Sequence, residues 1–397
     1  MGQNDRLVLG IASNILFLGM VSFFTDISSE LIAAVLPAFL FVTLGTSPEI
    51  IGTIEGAAES LTSFLKLASG VAADRTGNRK RFTVAGYSLS NFIKPLMGLV
   101  SSWPQVLILR MGDRIGKGIR TPPRDAMIAD STEECKMGAA FGVHRTLDQL
   151  GAVVGPLLAF VLLSPLGFGG IFLLTIIPGS IAVAILFILV KEPKRRECAT
   201  KVTLKGAKRV MDRAFSMYIG SAALYAVAAI SYSFILLKGI EMGLPAEYTA
   251  LIYAGIQACH VVAGYPAGVI SDRAGRIRAV QIGYALLFVS FLTMAMAPSV
   301  PIFILGAMLF GMHQGVVETS QRAIIPSIVP GEYKGTAYGI YNAAIGIVTL
   351  PTNLVAGSIF GALGSAAAFG YGAAFAVAAS VAMALTHRQM ANRRSKD

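Results

Sequence analysis

Charge is what this sequence has least of. Asp, Glu, Lys and Arg make up 14% of the chain, against about 25% in an ordinary soluble domain. Hydrophobic residues make up 54%, and a mean hydropathy of +0.67 excludes a soluble globular fold. Cysteine is as scarce. Cys135, Cys198 and Cys259 are too few and too scattered for a disulfide framework or a metal spacing. A basic segment followed by a short apolar core and a small-residue cleavage site is missing near the start, so no cleavable signal is expected and insertion is expected through the first membrane segment. Arg6 breaks the myristoylation pattern that Gly2 begins. The net charge of +11 does not point to nucleic acid, because the basic residues sit in short runs between apolar segments.

What the chain does have is long apolar runs. A membrane helix needs about 20 mostly apolar residues, and twelve segments qualify: 9–43, 48–73, 82–101, 104–130, 139–163, 171–190, 214–237, 248–271, 279–297, 301–328, 335–360 and 365–386. Lys and Arg set their orientation. Arg75, Arg79, Lys80 and Arg81 follow the second span, nine basic residues fill 191–213, Arg273, Arg276 and Arg278 follow the eighth, and Arg388, Arg393, Arg394 and Lys396 lie in the tail. With twelve spans all of these fall on one side, and the turns on the other offer Lys238. The positive-inside bias then places both termini and the central connector in the cytoplasm.

The chain also repeats itself. Gly70-Val-Ala-Ala-Asp74-Arg75-Thr-Gly77 returns as Gly268-Val-Ile-Ser-Asp272-Arg273-Ala-Gly275, 198 residues on. At the same offset Arg124 meets Arg322 and Lys136 meets Lys334, while Phe141-Gly142 meets Tyr338-Gly339 at one residue less. The expected fold is therefore an all-α polytopic membrane protein. Two pseudo-symmetric six-helix bundles, 1–190 and 214–397, are joined by the basic connector 191–213, with a site at the midplane.

One stretch concentrates the charge. Residues 110–125 hold five basic and two acidic residues in sixteen. On a helix, Arg110, Asp113, Arg114, Lys117, Arg120 and Arg124 fall within an arc of about 120°. Such a stripe must face water, a partner charge or a substrate.

These features resemble the major facilitator superfamily over essentially the whole chain. That family's loop between its second and third helices reads G-x-x-x-D-R-x-G-R-[RK]; here it is Gly70, Asp74, Arg75 and Gly77, with Asn78 inserted before the basic run, and the second copy brings Asp272 and Arg273. The resemblance implies that these residues form a conformational gate on the cytoplasmic side. The family's drug-type exporters carry R-x-x-Q-G on the fourth helix; Arg110 fits, whereas Asp113 and Arg114 replace Gln and Gly. Family antiporters carry G-x-x-x-G-P-x-x-G-G on the fifth helix. Gly151, Gly155 and Pro156 match it, and Ala159 and Phe160 stand at the last two glycine positions. The partial match implies exchange and export.

Asp26 and Glu30 lie one turn apart on the first span. A carboxylate in a membrane costs about 2.5–3.5 kcal/mol, so it is paired, protonated or useful. Asp26, then Glu30, then Asp113 are the candidates for proton coupling; the alternative is permanent pairing with the cations of the fourth span. Pro122 and Pro123 are expected to kink that span. Asp26, Glu30, Glu55, Glu59, Asp113 and Asp148 are set against Lys66, Lys94, Arg110, Arg114, Lys117, Arg120, Arg124 and Arg145. With Glu49, Asp125 and Asp130 toward the span ends left out, this surplus of cations suits an anionic substrate group held by arginine. Arg110, Arg114, Lys117, Arg120 and Arg124 are the substrate candidates in the first half. In the poorer second half they are His313, Gln314, Glu318 and Asn342, with Gln257, His260, Tyr225, Tyr232 and Tyr341 nearby as hydrogen-bonding groups. Gly116-Lys117-Gly118 lacks the rest of a phosphate loop, and no metal, cofactor or nucleophile arrangement is expected.

The expectation is a monomeric secondary transporter in a prokaryotic inner membrane, exchanging protons for a small organic solute with export favoured. A symporter importing an organic anion is the first alternative. A non-transporting sensor or a lipid-modifying enzyme is the remote one.

Overall fold

The computed structural model describes residues 7–8, 11–76, 78–133, 136–193, 211–329 and 333–394. A two-residue antiparallel pairing, Leu7–Val8 with Ile11–Ala12, precedes the helices, so the first helix starts later than the apolar run does. α1 is Ser13–Ala38 and passes into a π turn, Phe39–Thr43. α2 is Pro48–Thr76, α3 Arg79–Leu96 and α4 Trp103–Asp130. α5, Met137–Leu174, is two helical pieces that meet at a kink at Gly167, whose φ of +65° suits a residue without Cβ. α6 is Ile176–Ile188.

The second half runs through α7, Arg213–Ala228, and α8, Tyr232–Glu241. It continues with α9, Ala246–Ala274, α10, Arg276–Ala295, α11, Val300–Ile328, α12, Lys334–Leu363, and α13, Ser365–Arg394. The span expected at 214–237 is thus two helices. Ser231 starts the second by accepting from the Ser233 amide at 3.2 Å, a side-chain N-cap. The prolines at 122 and 123 do not end α4, which continues through both.

Seven segments among the described residues are long and apolar enough to cross a membrane; Met137–Ile188, with 52 residues, holds two spans across the Gly167 kink. α2, α3, α4 and α9 complete twelve. These four fall short on hydropathy because they carry polar and charged groups that protein, not lipid, must shelter.

The chain divides into two compact units. One is Met1–Leu44, Leu61–Cys198 and Pro245–Ala254; the other is Gly45–Ser60, Ala199–Leu244 and Gly255–Asp397. In the first, Leu18 and Val21 of α1 pack with Tyr87, Met127, Ala140 and Leu186 from α3, α4, α5 and α6. The α3 N-terminus is closed by Glu192, whose carboxylate accepts from the amides of Arg79 at 3.1 Å and Lys80 at 2.6 Å. Free helix N–H groups and the positive helix end both favour a carboxylate there. In the second unit, Phe215 and Tyr218 pack with Tyr284, Ile325, Tyr341 and Met383.

Candidate functional site

The first unit gathers the charged stripe of α4 against polar faces of α1, α3 and α5. Arg110, Asp113, Arg114 and Arg120 are all buried, while Lys117 and Arg124 are half-buried. Buried charges need partners, and α3 supplies the first. Asp113 sits 3.8 Å from Arg110 and accepts from the Ser90 hydroxyl. Lys94, 1% exposed, donates to Ser28 and Ser29 of α1 at 3.0 Å each. The Arg120 guanidinium carbon lies 4.4 Å from the ring centroid of Tyr87.

Further along α4, Arg124 donates to Asp125 at 2.9 Å and to Ser22 of α1 at 3.1 Å, and lies 3.9 Å from Asp148 of α5. His144 Nε2 is 2.8 Å from the same Ser22 oxygen. Arg145 reaches Asp148 at 3.3 Å. Asp26 is seated against α5 at Gly151, one turn from Asp148, where a built Cβ on the glycine would lie 3.1 Å from its own Cβ, and Asp148, Glu30 and Lys117 are the charges that act on its carboxyl. Glu30 accepts from the Tyr253 hydroxyl at 2.7 Å. Gly151 and Gly155 bring α5 onto α1 at these carboxylates: a Cβ at Gly155 would lie 2.9 Å from both Glu30 Cβ and the Ile27 carbonyl oxygen. Pro156 follows within α5.

The structure therefore unites Asp26, Glu30, Asp113 and the five α4 cations in one unit. It also brings in Tyr87, Ser90, Ser22 and Ser29, which were not among the expected site residues, and sets Lys94, expected as one of the cations, among them. Tyr87, Ser90 and Lys94 recur on α3 at helical spacing, as Ser22, Asp26 and Ser29 do on α1, and those stripes were the available signal.

The second unit holds the remaining candidates. His313 is buried, with its ring nitrogens near the Tyr225 hydroxyl at 3.3 Å and the Phe310 carbonyl. Tyr225 stacks on Tyr284 at 4.9 Å. Glu318 pairs with His260 at 3.0 Å. Gln314 and Asn342 are half-buried. Asp272 and Arg273 are exposed at the end of α9, before Gly275 turns the chain with φ +97°. Gly70 lies within α2; Gly77 and the side chains of Asp74 and Arg75 lie outside the described residues. Among the described residues no group of His, Cys, Asp and Glu is placed to hold a metal ion.

The family model described as Major Facilitator Superfamily matches residues 18–258 and 217–396. The chain belongs to the major facilitator superfamily. It is a multi-pass membrane transporter of small molecules. An uncharacterised superfamily transporter of Methanocaldococcus jannaschii is 30% identical over 366 residues, 90% of each chain. An uncharacterised protein of Mycobacterium tuberculosis is 27% identical over 320 residues, 78% of each.

Solved structures share the fold. A bacterial homologue of the human lysosomal transporter Spinster, inward-facing and occupied, gives a TM-score of 0.78 at 17% identity, over 94% of this chain and 96% of that one. A POT family transporter in complex with a thioalcohol-conjugated peptide gives 0.83 at 13% identity, over 97% and 98%. At those identities the superfamily member shares their architecture, and its solute must be argued from its own residues.

Proposed function

We propose that this transporter couples proton movement to the movement of a small organic solute by alternating access, in the cytoplasmic membrane of a prokaryote, as a monomer with both termini in the cytoplasm. The halves 1–190 and 214–397 are the rocking bodies. Gly70, Asp74, Arg75 and Gly77, with Asp272 and Arg273, act as the latch that breaks when the inside opens.

The observation that carries this reading is the seating of Asp26 against α5 one turn from Asp148: a Cβ on Gly151 would lie 3.1 Å from the Asp26 Cβ. Two adjacent carboxyl groups inside a membrane hold one proton between them more readily than two negative charges. Loading or losing that proton changes by one the charge beside Lys117, so it can bias which solute-loaded state is favoured. Glu30 and Asp113 are the second and third carriers. The proposed solute-binding groups are Arg110, Arg114, Lys117, Arg120 and Arg124 in the first half and His313, Gln314, Glu318 and Asn342 in the second. The sense is exchange with export, supported by Gly151, Gly155 and Pro156 lying along the α1 carboxylates.

A second reading has its own support. A proton on Asp26 adds to the positive charge of the α4 stripe, which favours an anion in the same state and hence co-transport into the cell. Liposomes loaded with a pH-sensitive dye separate the two. A solute first shown to be carried by radiolabel counterflow is added outside. Exchange raises the lumenal pH and co-transport lowers it. Counterflow without any lumenal pH change contradicts proton coupling in either sense.

A further inference from the structure

The ion pairs along α4 do not balance. Arg110 is matched by Asp113, and Arg124 and Arg145 by Asp125 and Asp148. Four other cations of this column, Lys94, Arg114, Lys117 and Arg120, have no carboxylate oxygen within 4.0 Å among the described residues. The unbridged carboxylates facing them on α1 are two, Asp26 and Glu30. In the state with no proton on Asp26 and Asp148, four positive charges against two negative leave an excess of two.

The neutral groups around the four do not remove that excess. Lys94 has serine hydroxyls, and Arg120 has the Tyr87 ring. Arg114 Nε and Arg120 Nη1 are buried without a hydrogen-bond partner, in side chains 9% and 4% exposed. A buried donor left open is costly, and more so when it is charged. These two donors sit on α4 arginines that have no carboxylate oxygen within 4.0 Å among the described residues.

We propose that the solute is a small organic dianion, whose two negative charges are met by Arg114 and Arg120 with Lys117 between them along α4. This rests on the reading that the α4 stripe faces the solute and is independent of the sense of proton coupling. A dicarboxylate carries its charges on two groups and a phosphate monoester on one; both meet the requirement. A monoanion leaves one positive charge unmatched.

The test is thermal stability of the purified full-length protein at pH 8 and constant ionic strength, titrated with succinate, ethyl phosphate, butyrate and succinamide. A bound ligand raises the melting temperature by mass action. Stabilisation by succinate or ethyl phosphate, at an affinity about tenfold or more above that for butyrate, with succinamide inert, is the expected result. Which of the two dianions binds tells whether the charges sit on two groups or one. Arg114→Gln lowers the excess to one, so the succinate shift is lost and a butyrate shift appears; Arg114→Lys keeps the succinate shift. If Arg114→Gln gives no folded protein, the wild-type series and Arg114→Lys decide alone. Butyrate binding as well as succinate overturns the dianion and leaves an anion transporter. Stabilisation by succinamide alone, or by no anion, overturns the substrate role of the stripe, while the dye-loaded liposomes still report proton coupling.

Discussion

A Cβ built on Gly151 of α5 would lie 3.1 Å from the Cβ of Asp26 on α1 and would run into the carbonyl oxygen of Phe23. The proposed proton carrier is thus seated where two helices approach at backbone distance, a packing that small residues make possible in membranes. Gly151→Ala forces α1 and α5 apart. Overpacking of this kind costs about 1–3 kcal/mol, so the melting temperature in detergent falls and transport falls with it. Gly142→Ala, on the same helix with open space around it, leaves both unchanged or improved.

Tyr87 acts on Arg120 through its ring face. Tyr87→Phe keeps that face and gives up a 3.4 Å contact between its hydroxyl and Ser22. Tyr87→Leu removes the face and leaves a desolvated guanidinium, a loss of about 2 kcal/mol. Thermal unfolding of the two variants side by side ranks Leu well below Phe; equal losses would show that the ring does not hold Arg120.

Asn353 of α12 serves the break between α7 and α8. Its Oδ1 accepts from the Ser231 amide at 2.8 Å, and its Nδ2 donates to the Thr349 carbonyl at 2.9 Å. Asn353 is buried, so Asn353→Ala strands the Ser231 amide at a cost of about 1–3 kcal/mol. The melting temperature reads this directly. Hydrogen exchange gains are predicted at residues 229–233, and unchanged exchange there would contradict the role given to Asn353.

Much of the architecture was legible because the membrane makes periodicity and charge placement informative. The spans, the basic turns and the recurrence of Asp74-Arg75 as Asp272-Arg273 are patterns that a single sequence displays. The break at 229–231 was not. Ser231 is one small polar residue without a neighbouring Pro or Gly, and the oxygen that accepts from its amide and makes the break tolerable comes from residue 353, far along the chain. In the site, the α4 stripe was legible because cations are rare in apolar sequence. Lys94 was visible but had no evident partner, since Ser28 and Ser29 are ordinary membrane-helix residues until the fold brings them to its amine. Asp148 was visible as a counter-charge; its approach to Asp26 depends on the glycines that let α5 close on α1.

The proposed seat of the coupled proton is the Asp26–Asp148 pair. The direct measurement is solute-driven proton flux in dye-loaded liposomes for Asp26→Asn, beside radiolabelled counterflow by the same preparation. The variant is expected to keep counterflow while its proton flux disappears and its transport no longer responds to a pH gradient. An Asp26→Asn protein whose proton flux and pH response match the wild type would contradict it.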